Sequence, residues 1–92
     1  MNYYSTPSFG RALGDLSESR KKRVKKSIRT AVLFFDTGIL PGGLGFKSLG
    51  HDLWEIRAGL DDRILFYREK DRVTWVLIGS HDEVRRFLKE IV

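Results

Sequence analysis

The densest alternation of apolar and polar residues runs from Leu53 to Ser80 and predicts three β-strands. Val, Ile, Leu and aromatic residues, which favour strands, are concentrated in this stretch. Turn-forming residues divide it at Gly59, at Asp61 and Asp62, and again at Lys70–Asp71. The pattern therefore indicates an antiparallel meander.

Each predicted strand has two different faces, because side chains alternate along a strand. Matching the apolar faces of neighbouring strands sets the register, since a slip of one residue would expose the whole apolar set. That register places Glu55, Arg57 and Arg63 together on the face away from the core. The opposite, apolar face consists of Trp54, Ile56, Ala58, Ile64 and Phe66.

Apolar residues at helical spacing predict three helices around the meander. The first helix begins at Thr6–Pro7. The second covers residues 18–36, with Ser17 as its N-cap, and ends near Gly38. The last begins at a capping box formed by Ser80 and Glu83. Their apolar stripes are Phe9, Leu13 and Leu16; Val24, Ile28, Ala31 and Phe35; and Val84, Phe87, Leu88 and Ile91.

Together these elements predict an α+β fold. Two N-terminal helices pack on a small antiparallel sheet, which is the meander with a possible edge strand at Asn2–Ser5, and a short C-terminal helix follows. We expect residues 1–92 to form one domain. Residues 39–46 are predicted to be a loop whose glycines lack the GK[ST] of a phosphate-binding motif, and residues 47–52 lead into the meander.

The second helix carries an unusual concentration of positive charge. Seven of the ten residues from Arg20 to Arg29 are basic, and the net charge of the chain is +5. A solvated helix face is the ordinary explanation, but natural surfaces usually mix the two signs of charge, because like charges one turn apart repel. An anionic partner such as RNA or the ribosome is an equally good explanation. The residues expected to contact it are Lys22, Lys25, Lys26 and Arg29.

Composition narrows the function classes further. The chain has no cysteine and two isolated histidines, so we expect no disulfide and no metal site. We also expect no small-molecule cofactor. Without a signal-peptide pattern or a long apolar run, the chain is expected to be a soluble cytoplasmic protein.

The order of elements resembles the RelE/ParE superfamily of bacterial toxin–antitoxin toxins. The resemblance covers nearly the whole chain and is clearest from Lys47 to Phe87. It is carried by Leu49, by the strands L-W-E-I-R at 53–57 and R-I-L-F-Y at 63–67, by V-L-I at 76–78, and by G-S-H at 79–81. The first of these strands also resembles the HigB-like branch.

The resemblance implies an endoribonuclease that cuts mRNA on the ribosome without a metal and is held inactive by an antitoxin. The ribose 2′-hydroxyl would attack the adjacent phosphorus, which calls for cations around the phosphate, a base and an acid. Arg57 and Arg63 match the family's phosphate-binding positions, and Lys47 is a third cation. Glu55 is a possible base, and His81 a possible base or acid.

The sequence departs from the family near its C-terminus, where many relatives have an arginine and a tyrosine. Here Phe87 cannot transfer a proton, and Asp82 and Glu83 bring negative charge. Arg85 or Arg86 is expected to compensate for the positive charge that the family places here. Tyr67, on β-strand residues 63–67, is expected to stack on an RNA base. Two alternatives therefore stay open: a ParE-like toxin that poisons DNA gyrase without nuclease chemistry, and an RNA-binding or ribosome-binding module with weakened catalysis.

Overall fold

The computed structural model describes residues 1–39 and 42–91 and contains three helices and one five-stranded mixed sheet among them. The elements in chain order are β1 (Asn2–Ser5), α1 (Pro7–Asp15), α2 (Glu18–Thr37), β2 (Lys47–Gly50), β3 (Leu53–Ala58), β4 (Asp62–Glu69), β5 (Arg72–Gly79) and α3 (His81–Ile91). The α+β class predicted from the sequence is confirmed.

The strands lie in the order β1-β5-β4-β3-β2. The predicted meander is confirmed, because β3, β4 and β5 pair antiparallel in sequence order. The predicted N-terminal edge strand is also present, and it pairs parallel to β5, with Asn2 opposite Arg72. The sheet is therefore mixed rather than wholly antiparallel.

Strand β2 was not predicted, since Lys47 to Gly50 contains one apolar residue and ends in glycine. It forms because β3 offers it a partner, with Lys47 opposite Glu55. The turn that joins the two strands places His51 and Asp52 in the left-handed region, at φ 51° and 64°. Two successive left-handed residues match the twist of a tight hairpin.

The predicted helix caps are all confirmed. The Thr6 hydroxyl accepts a hydrogen bond from the Phe9 amide, and Gly38 closes α2 at φ 77°. In the capping box the Glu83 amide donates to the Ser80 hydroxyl at 3.2 Å, and the Ser80 amide donates to Glu83 at 3.1 Å. Each helix thus begins where its local sequence satisfies free amides.

The core lies mainly between the sheet and helices α1 and α2. On this side, called the α2 side, Ile56, Ile64 and Phe66 are fully buried against the α2 stripe. The opposite side was expected to face solvent, and that prediction is wrong. Helix α3 covers part of it, and Val84 packs there on Leu53 and Leu65. Alternation along a strand separates the faces but does not say what covers them.

Two further findings bear on the sequence predictions. None of the helices in the described residues has the length and apolar character needed to cross a membrane. The predicted loop at 39–46 has no helix or strand at residue 39 or at 42–46, and its remaining two positions lie outside the described residues.

Candidate functional site

Five of the predicted site residues are brought to one end of the sheet, on the side that carries α3. Arg57 and Arg63 are direct partners across β3 and β4, so their side chains share a face, as predicted. Arg63 is also opposite Gly79, the last residue of β5. We call the group the sheet-end cluster; it consists of Lys47, Glu55, Arg57, Arg63 and His81.

Within the cluster, Arg63 and Glu55 form an ion pair. Arg63 Nη1 donates to Glu55 Oε2 at 3.0 Å, and the two side chains are 25% and 8% exposed. Glu55 lies on the predicted face of β3, but it is buried there, with 6% of its surface exposed. Part of the charge of Arg63 is therefore neutralised from within the sheet.

Arg57, in contrast, is exposed, and no carboxylate of the described residues pairs with it. A β-carbon on Gly45 would lie 2.7 Å from Arg57 Nε, so the guanidinium lies directly over that glycine. Gly45 has φ +69°, where a side chain would also be strained. A glycine thus positions Arg57 without consuming its charge.

Lys47 and His81 complete the cluster from either side. Lys47 is exposed on edge strand β2, directly opposite Glu55. His81 is the exposed first residue of α3, two positions after Gly79. The sheet therefore presents a free guanidinium, a half-neutralised one, an ammonium and an imidazole around one open end.

Other predicted residues lie elsewhere. Tyr67 is four residues from Arg63 on β4, about 13 Å along the strand, where it packs near Leu53 and Leu88. Arg85 and Arg86 are exposed on α3. Lys22, Lys25, Lys26 and Arg29 are all exposed on α2.

Phe87 is partly buried and packs with Leu53, Leu65 and Val84. Its role at this position is therefore packing beneath α3. The Glu83 carboxylate is used in the capping box. Neither residue supplies a proton donor to the sheet-end cluster.

Sequence reasoning missed an ion pair beside the cluster, between the buried Asp62 and the half-exposed Arg20. Asp62 is 3% exposed and accepts two hydrogen bonds from Arg20, at 3.0 Å from Nε and 2.7 Å from Nη2. These bonds, and then the charge of the carboxylate, raise the pKa of the Arg20 guanidinium above its ordinary value. The pair fixes the start of α2 to β4. Its signal in the sequence was hidden, because Arg20 begins a run of basic residues and Asp62 was assigned to a turn.

Comparison with solved structures identifies the architecture. The toxin–antitoxin complex RelB–RelE from Methanococcus jannaschii matches 91% of this chain and 96% of its own with a TM-score of 0.69 at 17% identity. The YoeB/ParE toxin from Agrobacterium tumefaciens matches 88% and 99% with a TM-score of 0.63 at 15% identity. The chain has the RelE/ParE toxin fold.

A third match is a copper-bound mutant toxin from Helicobacter pylori. It covers 91% of this chain and 98% of its own, with a TM-score of 0.63 at 15% identity. Neither a sequence model of a protein family nor a curated protein matches the chain. The RelE/ParE fold is thus shared over nearly the whole chain, while the sequences have diverged far.

Proposed function

We propose that this chain is the toxin of a toxin–antitoxin pair and that its sheet-end cluster cleaves mRNA on the ribosome. The observation that carries the proposal is the pairing of Arg57 with Arg63 across β3 and β4, beside the start of α3. Two guanidiniums that project from rigid neighbouring strands suit the oxygens of a phosphodiester, since each can donate two parallel hydrogen bonds. The RelE/ParE fold supports the same class of function.

The proposed reaction needs no metal. The 2′-hydroxyl oxygen attacks the adjacent phosphorus, the bond from phosphorus to the 5′-oxygen breaks, and a 2′,3′-cyclic phosphate forms. One group accepts the proton of the 2′-hydroxyl and another donates a proton to the 5′-oxygen. Arg57, with Lys47, stabilises the negative charge that develops on the phosphate.

The environment of each group favours particular roles. Glu55 is buried and bonded to Arg63, so we assign it to holding the Arg63 guanidinium rather than to accepting the substrate proton. His81 is exposed at the open end of the sheet and is the better candidate for proton transfer. This assignment leaves the second proton-transfer group to the mRNA or the ribosome.

The test is a translation extract programmed with one defined mRNA, in which new 5′ ends are mapped by primer extension. We expect cleavage within the decoding site, and a loss of at least about 100-fold in Arg57→Ala, because one electrostatic contact to the reacting phosphate is removed. His81→Ala should reduce the rate and change its pH profile.

Arg11→Gln is the matched control, since Arg11 is exposed on α1 and the same charge is removed. It should leave cleavage unchanged. Intact mRNA at high protein concentration would reject the nuclease. Stable ribosome binding without cleavage would instead identify a binding module that has lost its catalysis.

The proposed partner is a cognate antitoxin. The neighbouring RelB–RelE structure is an antitoxin–toxin complex, and this chain carries a net charge of +5, which favours an acidic partner. We expect a short acidic protein, encoded in the adjacent reading frame, to co-purify with the chain and to block cleavage. Independent purification of the two proteins from cells that express both would contradict this.

One observation favours a second candidate, a ParE-like toxin that poisons DNA gyrase. Phe87 packs in the apolar layer beneath α3 and Glu83 caps the helix, so neither of these two positions supplies a tyrosine or an arginine for chemistry. A supercoiling assay with purified gyrase separates the candidates. Inhibition without mRNA cleavage would select the second, and an unaffected gyrase would remove it.

A further inference from the structure

A basic groove of about 340 Å³ lies between α2, the loop residues 42–44 and the end of β3 at Arg57, next to the sheet-end cluster. We call it the α2 groove. Arg23 and Lys26 line it from the helix, and Gly42, Gly43 and Gly59 line it from the loops. Its lining contains no carboxylate. Arg57 also borders it, so the groove continues from the cluster around the edge of the sheet.

Arg23 is held in this groove by close packing rather than by a counter-ion. A β-carbon on Gly59, which has φ +83°, would lie 3.0 Å from Arg23 Nε. In the described residues no carboxylate pairs with Arg23 or Lys26. Arg20, one turn earlier, is different, because its charge is taken by Asp62 in the adjoining cavity. Arg23 also lines that cavity, near Asp61 and Asp62, but no carboxylate of the described residues is within ion-pair distance of it, so its guanidinium is available to an anion.

The walls of the groove are fixed to each other. The Ser27 hydroxyl donates to the Arg57 backbone oxygen at 3.0 Å, which ties α2 to β3 at the centre of the groove. The Thr30 hydroxyl donates to the Lys26 backbone oxygen at 2.9 Å. Both hydroxyl protons are used within the protein, so the groups left to recognise a ligand are cations. Charge without competing hydroxyl donors favours a phosphate diester over a neutral polar ligand.

We propose that the α2 groove binds a backbone phosphate of single-stranded RNA, with Arg23 and Lys26 as its ligands, while a neighbouring phosphate of the same strand occupies the sheet-end cluster. The strand would cross the edge of β3 at Arg57. The inference rests on the proposed RNA substrate, but it does not require that the RNA be cleaved.

The test uses a fluorescent RNA oligomer of about four nucleotides, each with a 2′-O-methyl group. It lacks the attacking 2′-hydroxyl and cannot be cleaved. Its dissociation constant is measured by anisotropy at about 0.15 M ionic strength, where the Debye length is about 8 Å. Arg23→Gln and Lys26→Gln should each raise the dissociation constant about tenfold. Folding of each variant is checked by circular dichroism, and both side chains are exposed.

Arg11→Gln and Lys89→Gln are the matched controls, because they remove the same charge from exposed positions on α1 and α3 that do not line the groove. They should change the dissociation constant less than about twofold, since screening weakens charges that do not touch the RNA. Equal losses of affinity in all four variants would show attraction by net charge alone and overturn the proposal. So would an unchanged affinity in Arg23→Gln and Lys26→Gln.

A second measurement locates the ligand. In nuclear magnetic resonance titrations with the oligomer, the amides of Ser27 and Gly59 should shift more than those near Lys22. The same titration with inorganic phosphate separates the two sources of a phosphate group. Saturable shifts with inorganic phosphate and none with the oligomer would overturn the proposal. The oligomer cannot be cleaved, so neither result depends on whether the chain cuts mRNA.

Discussion

At the scale of single residues, the two arginines of the cluster differ more in their surroundings than in their chemistry. Arg63 is 25% exposed and holds a carboxylate that is 8% exposed, whereas Arg57 lies in solvent over Gly45. Truncation of Arg63 leaves Glu55 buried without its partner, and a charged group in that position is costly. Truncation of Arg57 leaves no buried carboxylate of the described residues without its ion-pair partner.

Arg63→Ala should therefore lower the free energy of unfolding by about 2 kcal/mol, and Arg57→Ala by less than about 0.5 kcal/mol. Urea denaturation followed by tryptophan fluorescence measures both. Glu55→Gln combined with Arg63→Ala should recover part of that stability, because the stranded charge is removed. Equal stabilities of the two single variants would contradict this account, and activity assays at position 63 need Arg63→Lys as a folding control.

Tyr3 makes the free energy of unfolding depend on pH in the alkaline range. Burial, followed by its hydrogen bond to Asp36 at 3.0 Å, raises the pKa of the Tyr3 phenol from 10.0 to about 12. The folded state therefore keeps a proton that the unfolded state releases. The contribution of Tyr3 is fully present below pH 10 and is lost as the pH rises to about 12.

The stability difference between the natural chain and Tyr3→Phe should therefore shrink between pH 10 and about pH 12, the window set by that pKa shift. Urea midpoints at several pH values measure it. Tyr4→Phe, at a neighbouring side chain that is 51% exposed, is the control. A difference that stays constant across the window would show that the hydrogen bond to Asp36 does not control the titration.

At the scale of elements, α3 decides which part of the sheet remains open. It covers Leu53 and Leu65 and leaves the end that carries Arg57 and Arg63 uncovered. Its first turn is fixed by the capping box of Ser80 and Glu83. The position of His81 therefore depends on a local interaction between two residues that are three positions apart in the sequence.

Ser80→Ala should destabilise the chain by about 1 kcal/mol, since one amide at the start of α3 loses its acceptor. We expect the melting temperature to fall by about 4–8 °C and amide exchange to rise first within α3. Ser5→Ala, at an exposed position in β1, is the control. Faster exchange spread evenly over the sheet would contradict a local effect.

The sequence predicted the elements whose signals are local. Periodicity located α2, and alternation placed Arg57 and Arg63 on one face, because both depend only on spacing along the chain. It did not predict β2 or the covering of Glu55, since these depend on what another part of the chain supplies. The role of Arg23 was not predicted for a related reason. Its close contact with Gly59 sets it apart from its basic neighbours, and that contact joins residues that are distant in the sequence.

At the scale of the whole molecule, the positive charge is concentrated on one helix. The run from Arg20 to Arg29 contains seven basic residues of the chain's 17, and α2 packs on the sheet by its other face. The outward residues Lys22, Lys25 and Arg29 therefore extend a basic surface from the α2 groove. Such a surface attracts a polyanion over a distance that salt shortens.

If this surface binds ribosomal RNA, replacing Lys22, Lys25 and Arg29 together by glutamine should weaken ribosome binding and flatten its salt dependence. The slope of log affinity against log salt should decrease by about 1 for each phosphate that the variant no longer neutralises. Ribosome pelleting between 50 and 200 mM KCl, the range over which such binding is most sensitive, measures it. An unchanged slope would remove this surface from the ribosome interface.

The parallel pairing of β1 with β5 has a consequence for folding during synthesis on the ribosome. Strand β1 is synthesised before its partner β5, which begins about 70 residues later in the chain. The earliest segment must therefore wait, unpaired, until translation reaches the last strand, and closing so long a loop is slow. A nascent chain can pair β2, β3 and β4 before β5 exists, but β1 stays without a partner and the five-stranded sheet stays incomplete until β5 has been synthesised.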